Sequence, residues 1–127
     1  MHIKNETVVT FDVDDTLVRW DKSHEKPGKN KIKITDPYTG INLYLYPHKV
    51  HSRLLKQYKG RGFFIIVWSM AGHLWAKAVV DALKLNAYVD VIMAKPSKHV
   101  DDKADVGSII GTRVFLRDIG DTKEVHT

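Results

Sequence analysis

Residues Asp12, Asp14 and Thr16, within the run Phe11-Asp12-Val13-Asp14-Asp15-Thr16-Leu17, place two carboxylates one residue apart and a hydroxyl two residues further on. They follow the apolar run Val8-Val9-Thr10-Phe11, whose β-branched and aromatic character is that of a buried parallel strand. In open α/β sheets, ligands bind outside the carboxyl ends of such strands. Crowding acids there raises their pKa values by mutual repulsion, so the arrangement is costly unless the acids hold a cation or do chemistry. The chemistry to expect is a metal-assisted reaction at a strand tip.

The elements that must position these residues follow from periodicity. A first strand is expected over residues 7–11. A polar stretch, residues 19–30, carries Lys22, His24, Lys26, Lys29 and the loop-forming Pro27-Gly28. Residues 31–35 and 41–46 alternate with period two around Asp36-Pro37-Tyr38-Thr39-Gly40, which reads as a β-hairpin projecting from the sheet. Pro47 is placed to open a helix, with Val50, Leu54, Leu55 and Tyr58 on one face. Gly60 and Gly62 end it. The run Phe63-Phe64-Ile65-Ile66-Val67-Trp68 is a second central strand stopping at Ser69.

A helix over residues 72–85 follows, with Trp75, Ala78, Val79, Ala82 and Leu83 as its core stripe and Asn86 at its end. Residues 89–93 form a third strand leading into Lys95-Pro96, residues 98–100 a very short one before Asp101-Asp102, and residues 112–116 a last one. The tail after Asp118 is expected to be partly disordered. Strands alternating with helices imply a parallel sheet with right-handed crossovers. No repeat, low-complexity segment or linker divides residues 1–127, which read as a single domain with a hairpin insert at about 19–46.

Composition narrows the class. The chain has 127 residues, 43% hydrophobic and 28% charged, as a soluble globular domain does. It has no cysteine, which excludes disulfides, thiolate catalysis and thiolate metal sites. No stretch approaches the length of a membrane span, and Met1-His2-Ile3-Lys4-Asn5 lacks a secretory apolar segment, so a cytoplasmic location is expected. A formal charge of +5 suits an anionic substrate or contact with nucleic acid.

Four features fall at successive strand ends: Asp12/Asp14/Thr16, Ser69, Lys95 and Asp101/Asp102. In this the chain resembles the haloacid dehalogenase-like phosphohydrolase superfamily. That pattern is an Asp-x-Asp-x-Thr strand end, an apolar strand ending in Ser or Thr, a Lys, and an acidic pair after a late strand. Here these read FDVDDTL, FFIIVWS, AKP and HVDD, in that order and over nearly the whole chain. The resemblance implies a three-layer, Rossmann-like parallel sheet and a Mg²⁺-dependent hydrolase that works through an aspartyl-phosphate. Asp12 would be the nucleophile. Asp14 would be the acid that protonates the leaving oxygen and then the base that activates water.

By the same resemblance, Mg²⁺ would be held by the Asp12 side chain, the Asp14 backbone carbonyl and Asp101, with Asp102 beside it or acting through water. Asp105 is a reserve ligand, because Asp101 and Asp105 also fit the family's Asp-x-x-x-Asp variant. Magnesium keeps several waters, so few protein carboxylates are needed. Ser69 and Lys95 would bind the phosphoryl oxygens, and Thr16 would order the loop at the phosphate end. Asp15 is expected to point away.

Plainer readings compete at each position. A calcium loop starting at Asp12 would have Ser23 where a glutamate belongs. Ser69 alone is an ordinary strand-end serine, and Asp101-Asp102 alone a solvated turn or helix N-cap. Lys98 competes with Lys95, which Pro96 favours by fixing the chain beside it. His48, His51, His73 and His99 read as surface or helix-packing residues, and Trp20, Trp68 and Trp75 as packing aromatics, Trp20 with the least defined place. A phosphoacceptor receiver domain would need its key aspartate after a middle strand, where Ser69 stands.

The insert bears on substrate. Between Leu17 and Pro47 there is room for a loop and hairpin only, which describes a nearly capless member whose open site admits bulky substrates. The motif FDVDDTLV is also similar to those of polynucleotide phosphatases and of small phosphoserine phosphatases. The basic insert favours nucleotides or nucleic-acid ends. A phosphoprotein phosphatase and a non-catalytic nucleic-acid-binding module on the same fold are the alternatives. The hairpin, or a second copy of the chain in a homo-oligomer, would supply any lid.

Overall fold

The computed structural model describes residues 7–102 and 111–118. Its elements are β1 (Val8–Asp12), β2 (Val18–Arg19), β3 (Ile32–Thr35), β4 (Asn42–Pro47), α1 (Lys49–Gly60), β5 (Phe64–Ser69), α2 (His73–Ala82), a 3₁₀ turn (Asn86–Tyr88) and β6 (Val91–Ala94). The fold is mixed α/β. β1, β5 and β6 form a parallel sheet with β5 in the centre, and β2, β4 and β3 form an antiparallel sheet with β4 in the centre. No helix among the described residues is long and apolar enough to cross a membrane.

Register fixes the site. Val8 pairs with Phe64 and Asp12 with Trp68, while Ser69 pairs with Ala94. Asp12, Ser69 and Lys95 therefore leave three adjacent parallel strands at the same carboxyl edge. Lys95 extends the ladder by one bond, its N–H donating to the Ser69 carbonyl at 2.9 Å. At the opposite edge the Asp90 carboxylate accepts from the Ile65 N–H at 2.8 Å and pairs with Lys59 at 2.8 Å, closing the entry to β5 and β6.

The hairpin pairs Ile32 with Leu45 and Thr35 with Asn42, in the register its alternation predicts. It does not project from the sheet. Ile34, Leu43 and Leu45 are buried in the same cluster as Ile65, Val67 and Val79, and α2 packs on β3 as well as on β5 and β6. Burying one face of an alternating hairpin is the ordinary way to stabilise it. Leu45→Ala is expected to destabilise the chain by about 2–5 kcal/mol in chemical denaturation, as deletions from packed cores do. A loss under about 0.5 kcal/mol, the range of surface substitutions, would mean a free flap.

Other expected boundaries shift for local reasons. Pro47 ends β4, pairing with Val18, and α1 begins after it with His48 as N-cap. Lys84 adopts a left-handed φ of 59° and ends α2, so Asn86 opens the 3₁₀ turn, and the third parallel strand starts at Val91 instead of residue 89. Residues 98–100 and 112–116 are described and form no strand. The Leu116 N–H, which a ladder would give to a carbonyl, donates to the His51 ring at 2.8 Å. Asp105 and the tail after Asp118 lie outside the described residues.

Candidate active site

The acid loop is wound around one carbonyl. Val13 O accepts from the N–H groups of Thr16, Leu17 and Val18 at 3.2, 2.8 and 3.2 Å. Asp15 sits at its tip with φ 60°, a left-handed conformation that aspartate tolerates better than most residues. Val13 and Leu17 are fully buried, and these apolar anchors alternate with Asp12 and Asp14, which remain partly exposed. Asp15 is exposed, and its Oδ1 accepts from the Trp20 backbone N–H at 3.2 Å.

Asp12 Oδ1 lies 3.8 Å from Lys95 Nζ, with both side chains about one-third exposed. Lys98 is exposed beyond Pro96. Ser69 is buried; its Oγ accepts from the Ala71 N–H at 3.0 Å, which leaves the hydroxyl proton free to rotate toward another acceptor. Thr16 is half-buried, and its carbonyl accepts from the His51 ring at 2.8 Å. The structure thus gathers Asp12, Asp14, Ser69 and Lys95 around one sheet edge, with Thr16 in the adjoining loop.

Asp14 differs from Asp12 in its surroundings. Its Oδ1 accepts two indole N–H bonds, from Trp20 at 2.8 Å and from Trp75 at 3.1 Å. Burial holds its carboxyl above the usual carboxylate range; the two indole bonds oppose that shift, and the Asp12 and Asp15 charges add to it. Two carboxyls on one loop in unlike environments are a physical basis for unlike roles.

Asp101 and Asp102 are exposed on the segment after β6. Among the described residues, no group of three or more His, Asp or Glu side chains is gathered to hold a metal. The oxygen donors at the sheet edge, the Asp12 carboxylate and the Asp14 carbonyl, suit a hard cation that keeps most of its water shell. The Asp14 side chain is engaged with the two indoles and is the less available of the two.

A tight turn between β5 and α2 meets the hairpin at the rim. Gly72, the N-cap of α2, has φ 104° and ψ 165°, a region essentially restricted to glycine. A Cβ there would stand 2.3 Å from the Tyr38 hydroxyl. The hairpin turn therefore lies over the residues that follow Ser69. The insert is less basic at its surface than its composition suggests, because the Lys31 ammonium folds inward onto the Ser23 carbonyl at 2.8 Å and Asp21 at 3.5 Å.

Sequence reasoning did not find the indole pair. Trp75 lies 61 residues from Asp14, and nothing in a packing aromatic announces a donated bond. It also missed the joint burial of His48 and His51, whose rings stack at 3.8 Å. Only the i, i+3 spacing of these histidines at a helix start hinted at it. Comparison with protein-family models, with curated proteins and with solved structures finds no match in any of the three.

Proposed function

We propose that the chain is a Mg²⁺-dependent phosphomonoesterase on a three-layer, haloacid dehalogenase-like fold, acting on nucleotides or nucleic-acid end phosphates. The observation that carries this reading is the convergence of Asp12, Ser69 and Lys95 at the carboxyl ends of β1, β5 and β6, with a second acid, Asp14, kept prone to hold its proton. A carboxylate facing an ammonium and a hydroxyl is suited to receive a phosphoryl group and to neutralise its oxygens.

In this reading an Asp12 oxygen attacks phosphorus while the bond to the leaving oxygen breaks and Asp14 gives that oxygen its proton. Water then attacks the phosphoryl group, Asp14 takes the water's proton, and the bond to Asp12 breaks to release inorganic phosphate. Ser69 and Lys95 orient and neutralise the phosphoryl oxygens throughout. The Asp12 carboxylate and Asp14 carbonyl would hold Mg²⁺, with Asp101 or Asp102 as further ligands. When bound, the ion adds positive charge beside the transferring group.

Phosphate release should be followed with an aryl phosphate, nucleoside monophosphates, 3′- and 5′-phosphorylated oligonucleotides and a phosphoserine peptide. The expected result is turnover with Mg²⁺, loss with chelator, and preference for a nucleotide or oligonucleotide. Turnover confined to the peptide would make the chain a phosphoprotein phosphatase. Salt-sensitive oligonucleotide binding with no turnover would make it a binding module built on the exposed Lys22, Lys26, Lys29 and Lys33.

A further inference from the structure

Three elements converge on one oxygen of Asp14. The acid lies in the loop after β1, Trp20 directly follows β2, and Trp75 lies in the first turns of α2. Both indole N–H groups reach Oδ1, at 2.8 and 3.1 Å, which uses that oxygen's two acceptor positions. Trp75 is 4% exposed. Trp20 is fixed between it, with ring centroids 6.1 Å apart, and the His24 ring at 5.2 Å.

We propose that Trp20 and Trp75 are positioning residues for Asp14: their indoles pin Oδ1 and leave Oδ2 as the oxygen that exchanges a proton with substrate. The proposal rests on the phosphomonoesterase reading for the role, and on geometry alone for the clamp. Indole suits this task because its N–H only donates. It cannot take the proton in transit, and it bonds Oδ1 whether the carboxyl is ionised or carries its proton on Oδ2. A ring has few rotamers to lose, so two of them hold the acid more firmly than flexible side chains would. An acid free to rotate about χ2 would present either oxygen to the leaving group. The clamp removes that choice.

The test separates acid positioning from general damage by varying the leaving group. A 4-nitrophenolate departs with little help from an acid, whereas an alkoxide needs its proton. In Trp20→Phe and Trp75→Phe, kcat/KM on glycerol 2-phosphate, which reports phosphoryl transfer to Asp12 and not the later hydrolysis, should fall about tenfold or more, since positioned proton transfer is worth about 10²–10⁴. kcat/KM on 4-nitrophenyl phosphate should stay within about threefold, well below the worth of a positioned proton transfer. Equal losses of kcat/KM on both substrates would overturn the positioning role.

A second measurement needs no turnover. In ¹⁵N-labelled protein the Trp20 and Trp75 indole resonances should shift in Asp14→Ala, while Trp68, which makes no bond to Asp14, holds still. Indole resonances that fail to move overturn the clamp whatever the activity. Resonances that move in a chain without turnover keep the clamp and overturn the phosphomonoesterase reading instead.

Discussion

Asp12→Asn should lower phosphate release by on the order of a thousandfold or more, as removal of a covalent nucleophile does. The amide nitrogen carries no available lone pair and the amide oxygen little charge, so no competent nucleophile would remain at the end of β1. The side chain is about one-third exposed and its ion pair to Lys95 is long and solvated. Such a pair contributes little to folding. The denaturation midpoint should therefore shift by no more than about 0.5 kcal/mol equivalent. Activity lost with the fold intact locates the defect in chemistry. Asp14→Asn should act differently, slowing hydrolysis of the intermediate, so that protein quenched after mixing with ³²P-labelled substrate keeps acid-stable label. Full turnover in Asp12→Asn would rule out an aspartyl-phosphate at this position.

The parts of the site that were legible in the sequence are those set by adjacent residues. Residues 7–11 and 63–68 read as buried strands because β-branched and aromatic residues run almost without a break; the observed strands, Val8–Asp12 and Phe64–Ser69, lie one residue later and carry the polar residues at their ends to one sheet edge. The hairpin was legible from period-two alternation, but where its apolar face packs was not. Ile34, Leu43 and Leu45 join a core shared with β5 and α2, and β3 meets a helix about forty residues further on, a partner that alternation alone does not specify. The short strand Val18–Arg19 exists only because β4 pairs with it. Residues 112–116 have strand-like composition, yet the Leu116 N–H meets an imidazole in place of a neighbouring strand. For the same reason the second acid's partners stayed hidden: whether a tryptophan's N–H is donated, and to what, depends on the folded geometry.

Stability should fall as pH drops from about 6.5 to about 4, and His48 should account for much of the fall. The start of α1 is tied to the acid loop through two neutral histidines. The His48 N–H donates to the Leu17 carbonyl at 2.8 Å, and its Nδ1 accepts from the His51 N–H at 3.1 Å. His51 Nε2 accepts from Leu116, so its Nδ1 carries the proton given to the Thr16 carbonyl. Asp118 accepts from the Lys49 N–H at 3.1 Å, and Phe115 lies edge-on to both rings.

Burial lowers the His48 pKa from 6.5 to about 4, helped by His51 and Arg19 and opposed by Asp118. His51 is lowered too, chiefly by burial. Between these values the unfolded chain binds a proton that the folded chain refuses, so unfolding becomes easier as pH falls. Two and a half pKa units correspond to roughly 3 kcal/mol. The raised carboxyl of Asp14 works in the opposite direction at the acid end, where the folded chain takes up its proton first. His48→Asn keeps an N-cap acceptor for the His51 N–H but does not titrate in this range. In guanidinium titrations from pH 4 to 7.5 the variant should show a flatter profile than wild type, with His51 supplying the remaining slope. An unchanged profile would mean that His48 takes up its proton at the same pH in the folded and the unfolded chain, and that the coupling between α1 and the acid loop does not depend on its protonation.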